Sequence, residues 1–446
     1  MVDLLPLLLA GVLIVLWCLG LYALHRRGLL EPRGLSPSPP PAGPFLMWKT
    51  VRGRQLIDRL ARPARFWRFF GDLAIALVAL TMAGTTILLI WEATLVQTPA
   101  VRGNPPSPDL LLGLPGINPI IPLGYGILGL SVAIILHEFS HGILSRVAKI
   151  KIRSLGLIFL IFPIGAFVEP DQDELLALPR RQRARLYAAG PATNILLAVL
   201  FAVLFSSVMM ASVTPVHDGV GIVGFTTGNS PAQSANMSAY TIITQVNGTD
   251  IHSYTDFRDA MARTKAGDNI SVQTFDPQSS AYATFHVTLI AESGTNRSLL
   301  GIYAIDVSTD YYHPLTNVDR FGGVPGAILA YISLPFQGRA PIQDPEVRFY
   351  QIGGPLAVIP APLFWILVNI AYWLFWLNIM LGATNALPAV PLDGGYIFKD
   401  AIEGLVSRLR KGIGAEQRDR IVRGVSYTFA FLILGLVLWQ LIGPRI

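Results

Sequence analysis

The sequence predicts a polytopic α-helical membrane protein with about six transmembrane helices and an inserted small, mainly β domain. Two observations lead to this fold class. The 446 residues have a mean hydropathy of +0.51 and only 14% charged residues, which is too apolar for an ordinary soluble protein. Six apolar stretches reach the length of roughly 20 residues that a helix needs to cross a bilayer. A polar stretch from 214 to 307 interrupts their series.

The predicted spans are separated by loops of unequal charge. The spans cover residues 4–24, 71–92, 119–147, 187–211, 357–384 and 423–442. The loops 26–68, 149–185 and 399–423 are dense in arginine, whereas the loop 93–118 has Arg102 as its only basic residue. The positive-inside rule therefore predicts a multi-pass protein of the cell membrane, with these three basic loops in the cytoplasm and both termini outside.

This placement of arginine also accounts for the net charge of +6. Basic blocks beside apolar segments are typical of a protein oriented in a membrane, so membrane lipid is an expected partner. Binding of nucleic acid is not expected.

The segment 155–168, LGLIFLIFPIGAFV, is apolar but is interrupted by Pro163 and Gly165. A helix there would be too short to cross the membrane, so the sequence favours a re-entrant hairpin or loop, which needs protein or a water-filled cavity around its backbone. A helix lying at the membrane interface is the alternative.

The polar stretch reads as a small β domain on the outer face. Alternating segments such as SVQTF at 271–275 and TFHVTLI at 284–290 predict strands. Residues 230–261 resemble PDZ domains of membrane- and periplasm-associated proteases, with a Ser-Pro-Ala turn, a helix, a strand ending in Val-Asn-Gly and a second helix. This resemblance implies binding of a peptide chain end at a sheet edge. A folded spacer that only limits access is the alternative.

The third predicted span contains the pattern His-Glu-X-X-His, with His137 and His141 on one helical face and Glu138 beside them. Two imidazoles at this spacing can hold Zn²⁺, and the carboxylate is placed to take a proton from water. Placing ionisable groups within a membrane span costs free energy, so three of them within five residues indicate a function. A polar cluster that links helices is the alternative. The single cysteine, Cys18, excludes a thiolate metal site within one chain.

A catalytic zinc site needs a third protein ligand. Asp393 lies in NALPAVPLDGG, residues 385–395, after an apolar run and before two glycines that would let the backbone bend and aim the carboxylate inward. A plain turn is the alternative for this Asp-Gly-Gly. Glu169 and Asp171 are the next candidates for the ligand. The sequence thus predicts one zinc ion per chain, held by His137, His141 and Asp393.

These residues resemble the site-2 protease family of intramembrane zinc metalloproteases. The family pairs His-Glu-X-X-His on one helix with Asn-X-X-Pro and Leu-Asp-Gly on another, here Asn385 to Pro388 and Leu392 to Gly394. A third element, Gly-Pro-X-X-Asn at the start of the next helix, is GPATN at 190–194. The resemblance covers most of residues 119–395. It implies an enzyme that hydrolyses peptide bonds in or near transmembrane segments of membrane-protein substrates.

The predicted roles follow from this chemistry. Glu138 is the general base, and Asn194 and Asn385 are candidate donors to the developing oxyanion, with a helix cap or an interhelical hydrogen bond as the alternative role for each amide. The segment 156–168 offers a strand edge for an unwound substrate. Two other functions remain open: a membrane metal transporter and a catalytically inactive scaffold that presents the PDZ-like domain.

The sequence predicts five parts along the chain. They are the N-terminal helices and basic loop at 1–118, the catalytic core at 119–213, the PDZ-like domain at 214–310, the third core helix with the NALP and LDGG motifs at 311–398, and a basic segment with the last span at 399–446.

Overall fold

The computed structural model of the chain describes residues 4–38, 43–103, 105–111, 113, 115–160, 162–228, 230–291, 297–316, 318–340, 342–410 and 412–446. The chain divides into two compact units. One comprises residues 1–200 and 373–446, and the other comprises residues 201–372.

The N-terminal part of the first unit contains long helices and four strands. The helices are α1 Leu4–Arg26, α2 Arg54–Leu60, α3 Ala64–Leu95, α4 Pro99–Gly103, α5 Leu123–Val147, α6 Gln172–Leu176 and α7 Arg180–Val203. The strands are β1 Leu35–Ser38, β2 Phe45–Thr50, β3 Ile152–Leu160 and β4 Phe162–Pro170.

The second unit is rich in strands. Its strands are β5 Val213–Pro215, β6 Val220–Phe225, β7 Ile242–Val246, β8 Thr249–Asp250, β9 Asn269–Asp276, β10 Ala281–Thr288, β11 Ile290–Ala291, β12 Ser298–Leu299, β13 Ile302–Asp306 and β14 Tyr350–Ile352. Its helices are α8 Pro231–Ser234, α9 Tyr254–Met261 and α10 Val324–Ile332. Three further helices complete the chain: α11 Ala361–Asn385, α12 Asp393–Leu409 and α13 Ala415–Ile442.

Among the described residues, five helices are long and apolar enough to cross a membrane. They cover Ala64–Leu95, Leu123–Val147, Arg180–Ser212, Ala361–Asn385 and Ala415–Arg445, and they match five of the six predicted spans. The remaining predicted span, 4–24, lies in α1, whose described apolar part is Val12–Arg26. Large apolar side chains such as Leu80 and Phe431 are 72% and 70% exposed, as lipid-facing residues would be. The chain is therefore an integral membrane protein.

Four strands of the first unit form an antiparallel sheet in the order β1-β2-β3-β4. The apolar segment 155–168 is the hairpin of β3 and β4, not an interfacial helix, because its backbone hydrogen bonds pair strand with strand. Strands β1 and β2 lie in the stretch 26–68, for which the sequence predicts only a basic loop. Their pairing leaves β4 as an edge strand beside α5.

The inserted domain is mainly β, as predicted. Its main sheet has the order β10-β9-β7-β6-β13, with β8 paired to β7. Ser230 caps α8, β7 ends at Val246, and the turn at Asn247 and Gly248 has positive φ, so the predicted pattern of turn, helix, strand and second helix is present. Buried aliphatic side chains such as Ile222 and Ile243 form the core between this sheet and the two helices.

The second compact unit extends beyond the predicted 214–310. The segment after β13 contributes α10 and β14, and β14 pairs with β5 at the beginning of the unit. Asn369 holds this segment through its side chain, which accepts from the Ile342 amide at 2.9 Å and donates to the Ile342 carbonyl at 2.6 Å.

Ion pairs fix α7 against its neighbours within the first unit. Arg185 donates to both carboxylate oxygens of Asp72 on α3, at 2.8 and 2.6 Å. Arg183 likewise donates to both oxygens of Asp400 on α12, at 3.0 and 2.8 Å, and both of these side chains are only 14% exposed. Bidentate arginine–carboxylate pairs fix orientation as well as distance. Helix α7 is therefore held in register with α3 and α12.

Candidate metal centre

Helix α5 brings its two histidines together. His137 and His141 are four residues apart, so they lie one turn apart on the same face. Their Nε2 atoms are 3.1 Å from each other, and both side chains are largely buried, at 8% and 16% exposure. The two imidazoles therefore lie side by side on α5, as their spacing in the sequence predicts.

Asp393 completes a triangle with the histidines. Its Oδ2 atom lies 3.1 Å from the His137 Nε2 and 3.3 Å from the His141 Nε2. Ligands on a tetrahedral zinc ion, with bonds of about 2.0–2.1 Å, are separated by about 3.3 Å. The three observed separations match that value, and two imidazole nitrogens with one carboxylate oxygen are an ordinary ligand set for catalytic zinc. The residues thus fit the ion.

Two glycines follow Asp393, and their role differs from the sharp backbone bend that the sequence predicts. Asp393 is the first residue of α12, and Gly394 and Gly395 belong to the same helical turn without positive φ. A Cβ on Gly394 would lie 2.1 Å from the Ala386 carbonyl oxygen, and one on Gly395 would lie 2.4 Å from the Val390 amide nitrogen. The glycines are needed for close backbone packing and not for a sharp bend.

Helix α7 contacts both imidazoles through three residues spaced four apart on one face, Leu186, Gly190 and Asn194. The His141 Nδ1 atom lies 2.8 Å from the Leu186 carbonyl oxygen, which can only accept, so Nδ1 carries the proton and Nε2 is free to bind a metal. One turn later, a Cβ on Gly190 would lie 2.5 Å from the Nε2 atoms of both histidines. One turn further, the Asn194 Nδ2 atom lies 3.3 Å from the His137 Nδ1 atom.

The GPATN motif that contains Gly190 and Asn194 is not at the start of its helix. Helix α7 begins at Arg180, so the motif lies in its interior, with Pro191 inside the helix. The apolar run alone defined the predicted start at 187, whereas the charged residues before it extend the same helix and form the ion pairs with α3 and α12.

Glu138 lies in the same site and contacts the β sheet. Its Oε2 atom accepts a hydrogen bond from the Val168 amide of β4 at 3.0 Å. This bond orients the carboxylate and places the edge strand beside it. Glu169 and Asp171, the alternative ligands, lie elsewhere: Glu169 contacts Ser154 and Lys49, and Asp171 caps α6 and pairs with Arg153.

A cavity of about 750 Å³ opens onto these groups. His137, Glu138, His141 and Asp393 line it together with Asn385, the last residue of α11. Its lining also includes charged residues of α7, α12 and α13, among them Arg183, Asp400, Glu403 and Arg418. Among the described residues, the triangle is the group of His, Cys, Asp and Glu side chains that could hold a metal ion.

The second unit has a groove of its own, with a volume of about 880 Å³. It lies between α9 and β13, and β13 is an edge strand of the main sheet. Tyr254, Phe257 and Met261 of α9 line it together with Gly301 and Ile302. An unpaired strand edge next to an apolar helix face can accept an extended peptide.

Comparison with known proteins gives three kinds of match. The model of peptidase family M50 matches residues 125–433. An uncharacterised protein of Methanocaldococcus jannaschii is 22% identical over 96% of this chain and 97% of its own length. A protein of Clostridium acetobutylicum whose name includes the words zinc metalloprotease is 25% identical over 61% of this chain and 84% of its own length.

Two further similarities are more limited. The regulator of sigma-W protease RasP of Bacillus subtilis is 24% identical over 61% of this chain and 62% of its own length. A solved PDZ domain of the SdrC-like protein from Listeria monocytogenes is 21% identical, with a TM-score of 0.19, over 22% of this chain and 98% of that domain.

Proposed function

Because the chain belongs to peptidase family M50, we propose that it is an intramembrane zinc metalloprotease that cleaves peptide bonds in or near transmembrane segments of other membrane proteins. One observation carries the proposal. His137, His141 and Asp393 form a triangle of zinc-ligand dimensions, and Glu138 lies in the same cavity, on a helix long enough to cross a membrane. The names of the relatives, zinc metalloprotease and regulator of sigma-W protease, favour the same activity and its use in regulated proteolysis.

Zinc bound to the three ligands would act as a Lewis acid and lower the pKa of a water molecule to near 7. Glu138 accepts a proton from water and later delivers it to the nitrogen of the leaving amine. The hydrogen bond from the Val168 amide holds this carboxylate in place for both transfers. Asn385 lines the cavity, and we propose its amide as a donor to the oxyanion once it leaves the Leu381 carbonyl, to which it now donates at 3.1 Å.

We propose that β4 binds the substrate. A transmembrane helix must unwind before hydrolysis, because its amides are bonded within the helix. The unwound segment then needs new backbone partners, and β4, the edge strand of its sheet among the described residues, would supply them next to the Val168 amide that Glu138 holds. Pairing of this kind would present a substrate carbonyl to the cavity in an extended conformation.

We further propose the cell membrane as the location, with lipid as a partner. The basic blocks at 26–68, 149–185 and 399–423 support a cytoplasmic position for the mouth of the cavity, and the β domain would then be outside. The groove between α9 and β13 supports capture of a peptide chain end by that domain. A filter that excludes bulky substrates is the alternative role.

The experiment compares purified wild-type protein with two variants in detergent or lipid. Wild type is expected to contain one zinc per chain and to cleave a model transmembrane peptide. Glu138→Gln should keep the zinc and lose about 10²- to 10⁴-fold in cleavage rate, because the amide cannot accept the proton. Asp393→Ala should lose both zinc and cleavage. A metal transporter would move zinc across proteoliposomes without cleavage, and an inactive scaffold would do neither.

A further inference from the structure

The position of Asn194 differs from what an oxyanion donor requires. Its side chain is fully buried, at 0% exposure. Asn385 lines the cavity that holds the triangle, whereas Asn194 is not among the lining residues and lies behind the imidazole of His137. A group in this position can influence the reaction only through the histidine.

The hydrogen bonding at this contact is unbalanced. The Asn194 Nδ2 atom lies 3.3 Å from the His137 Nδ1 atom, and the Asn194 Oδ1 atom is buried with no hydrogen-bond partner in the described part of the chain. The His137 Nε2 atom is the one that points to Asp393 and His141, so it must carry the lone pair that binds a metal. The proton of the neutral ring then lies on Nδ1, which makes it a donor facing a second donor.

A rotation of the Asn194 amide by about 180° removes this conflict, because the amide oxygen and nitrogen occupy nearly the same space. The Oδ1 atom then accepts a hydrogen bond from the His137 Nδ1 and is no longer unpaired. His141 already has such an arrangement, since its Nδ1 donates to the Leu186 carbonyl. Leu186 and Asn194 are eight residues apart on α7, so one helix face would hold both imidazoles.

We propose that Asn194 is a positioning residue: its amide oxygen holds His137 in the tautomer and ring orientation in which Nε2 binds zinc. This inference rests on the proposed zinc site. Acceptors behind metal-binding histidines fix the tautomer and raise ligand basicity, and their removal typically costs 10- to 100-fold in metal affinity. Helix α7 then supplies no ligand itself but determines the geometry of two of the three.

The test measures zinc affinity of the full-length purified protein by competition with a chelator, together with the cleavage rate. Asn194→Leu removes the acceptor at similar volume, and it should bind zinc about 10- to 100-fold more weakly. Asn194→Asp keeps an acceptor and no donor, so it should restore most of the affinity and of the cleavage that the leucine variant loses. Asn378→Leu is the matched control: Asn378 is also fully buried with an unpaired Oδ1, but its Nδ2 donates to Leu374 of its own helix, so zinc affinity should not change.

Three outcomes overturn the inference. Wild-type zinc affinity in Asn194→Leu would show that the contact does not matter. Zinc retained but cleavage lost in Asn194→Asp would indicate that the amide donates to the oxyanion, because a carboxylate repels that charge. Equal loss of zinc in the aspartate and leucine variants would indicate packing alone. Failure of wild type to bind zinc would instead refute the proposed function, and the aspartate variant remains informative if the leucine variant does not fold.

Discussion

Gly190→Ala tests the close contact between α7 and the histidines. The added Cβ would lie 2.5 Å from the Nε2 atoms of both His137 and His141. Ordinary van der Waals contact begins at roughly 3.4 Å, so either the rings or the helix must move by most of an ångström. Functional constellations tolerate displacements of about 0.5 Å. The methyl group would also occupy space beside the two lone pairs that bind the metal.

The expected loss of zinc affinity exceeds about 100-fold, which is the upper end of the range for removal of a hydrogen-bond partner of a metal-binding histidine. Overpacking should also destabilise the fold by about 1–3 kcal/mol. These effects oppose the intrinsic preference of a helix for alanine over glycine, which is about 1 kcal/mol in the stabilising direction. The sign of the result therefore separates packing against the imidazoles from helix propensity.

The assay measures bound zinc per chain, chelator competition and thermal unfolding of the purified protein. Gly424→Ala is the matched control, because it makes the same substitution in α13, where a Cβ would meet nothing within 4 Å. That control should keep its zinc and unfold at the same or a higher temperature. If Gly190→Ala bound zinc with wild-type affinity, the contact between α7 and the imidazoles would not be as close as described.

Two other perturbations test separate parts of the chain. Asp400→Asn weakens the bidentate pair with Arg183 and should lower the free energy of unfolding by about 1–3 kcal/mol. Asp419→Asn, the control in an exposed pair, should change the free energy of unfolding by less than about 1 kcal/mol. Similar melting temperatures for the two variants would refute a role for the buried pair. Replacement of 216–308 by a short Gly/Ser linker should leave zinc binding intact. If the β domain is a filter, this replacement should speed cleavage of substrates with large external domains. If the domain captures chain ends, the replacement should slow cleavage of trimmed substrates. Unchanged rates for both kinds of substrate would exclude both roles.

Much of the membrane part was predictable because its signals are local. An apolar run of sufficient length predicts a helix wherever it occurs, and five such runs are helices in the structure. The histidine pair was also predictable, since residues four apart share a helix face. The proposed third ligand was harder to find, and Asp393 was identified only because it is an acidic residue at the end of a predicted span.

The parts that sequence reasoning missed depend on contacts distant in the chain. Strand β2 pairs with β3, which lies more than 100 residues later in the chain, and nothing in its local sequence FLMWKT identifies that partner. The need for glycine at Gly190 arises from the imidazoles on α5, and the need at Gly394 arises from the Ala386 backbone in the turn before α12. Such requirements cannot be deduced from periodicity, because they exist only once the helices are packed.

The order in which the chain is synthesised gives the separation of His137 and Asp393 a further consequence. The two proposed ligands are 256 residues apart in sequence, and the whole second unit is translated between them. A growing chain that has already inserted α5 contains His137, His141 and Glu138 but still lacks Asp393. The triangle therefore cannot form until α12 has been made and has docked on α7. A protease with this arrangement cannot assemble the proposed metal site before the whole second unit and α12 have been translated.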